Sequence, residues 1–146
     1  MHHTYFDDGS VWKASGTYYD ENGKGYAVTG RCEAKRDEAQ WSLAGYMEVA
    51  FPGSPTKFFN KYSIRETDLK YTLSWVSENP ALGTLCGVFE LVGDSVISFY
   101  TSDTGEYAGT ETLTQLDEDS YDAVGAAFHN GKRMSAWTVS LKRTAR

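Results

Sequence analysis

Proline and cysteine are scarce in this chain, long apolar runs are missing, and positive charge is in deficit. Three prolines in 146 residues argue against disorder over most of the length, because unfolded segments are proline-rich and poor in aromatic residues. The two cysteines, Cys32 and Cys86, have no CxxC neighbour and no histidine at metal-ligand spacing, so no metal site is expected. Both sit among apolar strand residues and are predicted to be buried, free thiols of a reducing compartment. A disulfide would need their two strands to lie close. No run approaches the length of a membrane span. Residues 1–4 have neither the basic nor the apolar region of a signal peptide, so a cytoplasmic protein is expected. Lysine and arginine total 14 against 20 acids, for a net charge of -6. That balance disfavours a phosphate backbone as partner, and neither nucleic acid nor membrane is expected.

Aromatic residues, by contrast, are abundant at 14%, with four Trp, ten Tyr and seven Phe, a load that suits strands. The length fits one domain with a real core. Ten alternating segments recur at short spacing: 10–19, 26–35, 40–51, 57–65, 69–77, 84–92, 95–101, 106–116, 120–129 and 133–142. Asn22-Gly23 and Asn130-Gly131 are strong hairpin signals. Residues 33–40 contain helix formers without an apolar stripe, which allows a short helical turn. Gly16, Gly30, Gly45, Gly87, Gly109 and Gly125 fall inside the segments. Glycine within strands marks bends, bulges or close approach, and so many of them point to a strongly coiled, closed sheet. The expected fold is all-β: an up-and-down antiparallel barrel of about ten strands. It should span residues 10–143, with an N-terminal extension over 1–9 and a basic tail over 144–146.

Alternation assigns inward faces. The third segment offers Trp41, Leu43 and Met47, and the fourth offers Phe58, Asn60, Tyr62 and Ile64. The fifth offers Tyr71, Leu73 and Trp75, the sixth Leu85 and Phe89, and the tenth Ser135, Trp137, Val139 and Leu141. The seventh is ambiguous between Val96, Ser98, Tyr100 and Ile97, Phe99. In the eighth, Glu111 shares a face with Tyr107, Gly109 and Leu113. It is the one acid placed mid-strand among apolar neighbours. Pointing inward, it would have a raised pKa and could anchor a ligand or act as a general acid or base. With the register slipped by one residue, it would be solvated beside Thr110 and Thr112. His129 reads as a rim residue, and His2 and His3 as mobile.

The aromatic set is open to two readings. One is a packed core. The other is a cavity lined by Trp41, Tyr62, Trp75, Phe89, Tyr100 and Trp137, with Glu111 as its polar group. The mid-strand glycines favour a hollow by removing volume beside the rings.

Gly9-Ser10-Val11-Trp12 at the start and residues 137–143 at the end give the chain a resemblance to the lipocalin-like, or calycin, superfamily. It resembles small bacterial lipocalin-like domains of unassigned function more than secreted lipocalins. Lipocalins open strand one with Gly-x-Trp, whereas the spacing here is Gly-x-x-Trp. The resemblance implies that Lys142 or Arg143 packs across Trp12 at the barrel base, and it implies an apolar-ligand pocket. Three functions follow as expectations. The first is binding of a small apolar or aromatic molecule. The second is a cofactor-free cyclase, isomerase or hydratase using Glu111 with Tyr62 or Tyr100. The third is an interaction module with a filled barrel. No cofactor is expected, and a homodimer is open to the chain.

Overall fold

The structure is a computed structural model and describes residues 2–145. Ten strands follow one another: β1 (Val11–Tyr19), β2 (Gly25–Asp37), β3 (Gln40–Val49), β4 (Thr56–Glu66), β5 (Thr72–Asn79), β6 (Gly83–Val92), β7 (Ser95–Ser102), β8 (Tyr107–Asp117), β9 (Ser120–His129) and β10 (Lys132–Ala145). Each pairs with its chain neighbours in antiparallel fashion, and β1 pairs with β10 to close the barrel. Closure removes the sheet edges that an open meander would expose. The described residues form no helix, so none is long and apolar enough to cross a membrane.

Turn chemistry explains the hairpins. Asn130 and Gly131 both have positive φ, 49° and 83°, as a two-residue turn matched to strand twist requires. The helical turn allowed over 33–40 does not form. β2 instead runs on to Asp37, and Glu38, with φ 54°, makes the reversal into β3. Cross-strand pairing from Ala34 with Leu43 to Asp37 with Gln40 outweighs weak helix propensity in so short a segment.

The mid-strand glycines coincide with close approach. A side chain on Gly16 would strike the Thr138 carbonyl, and one on Gly45 the Arg31 carbonyl, so neighbouring backbones come together at these corners. Three other glycines lie under aromatic rings: Gly87 under Trp75, Gly109 under Tyr100 and Gly125 under Trp137. In each case glycine and ring are direct cross-strand partners. The rings occupy the space that the glycines vacate. Volume removed at the glycines thus lets the rings lie against the wall beside the hollow.

One end of the barrel is shut. Trp12, Ile64, Val96 and Tyr121 are wholly buried there, each contributing about 1.5–3 kcal/mol in removed apolar surface. Residues 2–8 fold across this base. Tyr5 meets Trp12 and Tyr121 at ring distances of 5.7 Å, and Phe6 reaches Phe89 at 5.2 Å. His3 is held, not mobile: Nδ1 bonds Tyr121 Oη at 2.9 Å and Nε2 bonds the Gly93 carbonyl at 2.8 Å. The His2 carbonyl accepts from Gln115 at 3.0 Å. Of the two basic candidates on β10, Arg143 lies 5.9 Å over the Trp12 ring and pairs with Asp7 at 3.3 Å. Lys142 is exposed.

Candidate functional site

Above the closed base the barrel is hollow. The cavity is about 360 Å³, and its walls are mainly aromatic and aliphatic. β7 resolves its ambiguity here: Val96 and Ser98 are buried, while Ile97 and Phe99 face outward, which turns Tyr100 toward the cavity.

Of the residues picked from alternation, Tyr62, Trp75, Phe89, Tyr100, Glu111 and Trp137 all line the cavity. Tyr62 meets Trp75 edge-on at 4.7 Å. Trp75 in turn meets Phe89 at 5.9 Å and Tyr100 at 5.7 Å. The rings thus form a connected wall fixed by edge and tilted contacts. Trp41 is not part of it. It sits at the closed-end start of β3, level with Ile64, and the Arg36 guanidinium covers its ring at 4.1 Å. Tyr71 also departs from expectation. It lies in the turn before β5 and is 59% exposed, because β5 begins only at Thr72.

Glu111 points inward, mid-strand on β8. Trp137 Nε1 donates a 2.6 Å hydrogen bond to its Oε2, across β9 and over Gly125, which pairs with both residues. Burial raises the carboxyl above its ordinary value, and the Trp137 bond partly offsets this. Glu111 keeps some accessible surface. The surface it keeps is cavity wall. Tyr62 and Tyr100 are also raised, by burial first and by the Glu111 charge second. Burial therefore keeps both phenols protonated, and a negative charge at Glu111 adds to it.

Two groups were not read as site residues. Tyr5 comes from the N-terminal segment, and its hydroxyl lies 3.5 Å from Cys32 Sγ. Burial pushes the Cys32 thiol up to about 11, and Cys32 lines the cavity floor with Tyr5. The Tyr5-Phe6 pair was the available signal, an apolar step within an extension that otherwise looked polar. Cys86 corrects the expectation of two buried thiols. It is exposed on the outer face of β6, because the inward positions there are Leu85 and Phe89 with Gly87 between. Among the described residues no cluster of His, Cys, Asp and Glu could hold a metal ion.

No family model matches the sequence, and no curated protein matches it. Solved structures do. The S-type phycobiliprotein lyase CPES from Guillardia theta superposes with a TM-score of 0.64 at 10% identity, covering 94% of this chain and 88% of that one. Rv2717c from M. tuberculosis superposes at 0.68 with 12% identity, covering 92% and 91%. The fold is a closed, ten-stranded, lipocalin-like antiparallel barrel. At such identities the likeness is one of architecture, and function must be argued from the site. What distinguishes the site in this lipocalin-like barrel is one buried carboxyl, bonded to an indole, in a hollow walled by rings.

Proposed function

We propose that the chain binds a small, mainly apolar or aromatic molecule inside the barrel. Tyr62, Trp75, Phe89, Tyr100 and Trp137 are its walls and Glu111 its polar anchor. The observation that carries this reading is the single carboxyl in a ring-walled cavity of about 360 Å³. Small-molecule sites are typically apolar hollows of roughly 300–1,000 Å³ with a few placed polar groups. A barrel filled for stability alone gains nothing from a buried acid, since desolvating a carboxylate is costly. A ligand group on Glu111 Oε1 would offset that cost, with Oε2 already taken by Trp137. The protonated acid would donate to a ligand carbonyl or hydroxyl, and the ionised form would accept from an amine. The structural likeness to CPES supports the reading through fold only.

A second reading rests on the raised carboxyl beside two phenols. An acid poised in this way suits proton transfer in a cofactor-free cyclase, isomerase or hydratase. Under that reading Glu111→Gln abolishes turnover and retains binding.

The test is a titration with the neutral probe N-phenyl-1-naphthylamine. Tryptophan fluorescence should quench saturably, and Trp75→Phe should remove much of the quench. No saturable change up to about 1 mM probe, an affinity weaker than roughly -4 kcal/mol, would mean that the barrel is effectively filled.

A further inference from the structure

The barrel wall is uneven around its circumference. β3 and β4 are paired along their whole shared length, from Gln40 with Arg65 to Val49 with Thr56. β5 and β6 are likewise paired from Thr72 with Glu90 to Asn79 with Gly83. Between β4 and β5, however, the ladder holds only four pairs, from Ser63 with Val76 to Glu66 with Leu73. Continuing that register would set Tyr62 opposite Ser77, Lys61 opposite Glu78 and Asn60 opposite Asn79. Those pairs do not form. Among the described residues no hydrogen bond joins 56–62 to 77–79.

The gap lies in the half of the barrel away from the closed base, and its borders are cavity walls. Phe58, Asn60 and Tyr62 line the cavity from β4, Asn79 from the end of β5, and Leu82 from the turn that follows. Phe58 is 46% exposed although it shares the inward face with Asn60 and Tyr62. The gap ends below at the edge-on contact of Tyr62 with Trp75. Above, Asn79 Oδ1 accepts from the amides of Ala81 and Leu82, both at 2.9 Å, so the turn moves with the end of β5.

From these observations we infer that the β4–β5 seam is a side port through which ligand reaches and leaves the cavity, with Phe58 and Leu82 as its jambs. The inference rests on the binding reading above. The physical argument is one of local stability. Strands separate most easily where fewest ladder bonds hold them, and unpaired edge amides must already be satisfied by water. Parting β4 from β5 over 56–62 breaks no ladder bond, whereas parting any other neighbouring pair in the wall breaks several. An aromatic molecule sliding between Phe58 and Leu82 arrives directly at Tyr62 and Trp75, the wall nearest the seam.

The test staples the seam. Lys61→Cys with Glu78→Cys, in a Cys86→Ser background, places two outward-facing thiols where the missing pair would be. A disulfide needs Cα atoms about 5.5 Å apart, so oxidation draws the strands together. Stopped-flow binding of N-phenyl-1-naphthylamine should then slow on the order of tenfold in both association and dissociation, with Kd changed far less. Reduction should restore both rates. A fully oxidised variant with unchanged rates overturns the proposal and leaves the axial mouth as the route. Hydrogen exchange on the wild-type protein is an independent check that needs no ligand or staple. Seam-facing amides of 56–62 should exchange much faster than those of β8 and β9. Equal protection overturns the port. Failure of the probe to bind wild-type protein at all, with those amides exchanging fast, instead overturns the binding reading.

Discussion

At the scale of single residues, Glu111 is the acid that lines the cavity. Its carboxyl is raised by burial, so ionising it costs more in the folded state than in the unfolded chain. The stability associated with the neutral acid is fully present below the ordinary glutamate value near ~4.3. It is lost as pH rises through the higher folded value. Glu111→Gln removes that loss and keeps an oxygen for the Trp137 indole. Thermal melts should show the variant ahead of wild type at pH 7, with the difference shrinking towards zero by about pH 4. A difference that grows on acidification would mean that the carboxylate is stabilised instead. The thiols offer a second check at this scale. Cys86 is exposed and Cys32 is pushed up to about 11, so a thiol reagent at pH 8 should label Cys86 quickly and Cys32 only on unfolding. Rapid labelling of both in folded protein would contradict the placement of Cys32. Glu111 was legible in the sequence because an acid amid Tyr107, Gly109 and Leu113 stands out on a two-residue period. Cys86 was not, because its neighbours Leu85 and Gly87 are apolar whichever way the thiol points.

Among the strands, the recurring device is a ring laid over a glycine on the next strand. It explains why Trp75, Tyr100 and Trp137 can lie flat on the wall without filling the barrel. Gly109→Ala would drive a methyl group into the Tyr100 ring, and overpacking of this kind costs about 1–3 kcal/mol. Denaturant unfolding should show that loss, and it should largely disappear in a Tyr100→Ala background, where the ring is gone. Equal destabilisation in both backgrounds would place the cost in the backbone. The glycine positions told of a coiled sheet, yet which ring covers which glycine depends on register between strands far apart in sequence. The four-pair ladder between β4 and β5 was equally hidden. Both strands alternate normally, and no residue in either announces where pairing stops.

For the whole molecule, strand count and meander topology were readable because turn chemistry and alternation agree at nearly every hairpin. The base was read only in part. A basic partner for Trp12, Lys142 or Arg143, came from the likeness to lipocalins, whereas the choice of Arg143 and the cover formed by residues 2–8 depend on tertiary contacts such as His3 with Tyr121. One end of the barrel is closed and a ring-walled cavity lies above it, and the central claim is that this cavity holds a ligand against Trp75, Trp137 and Glu111. Four tryptophans give four indole signals in a proton–nitrogen correlation spectrum. On titration with N-phenyl-1-naphthylamine the Trp75 and Trp137 indole signals should shift together and saturate, while Trp41, outside the cavity under Arg36, stays in place. Stationary Trp75 and Trp137 signals, or a shift confined to Trp41, would contradict a binding site inside the barrel.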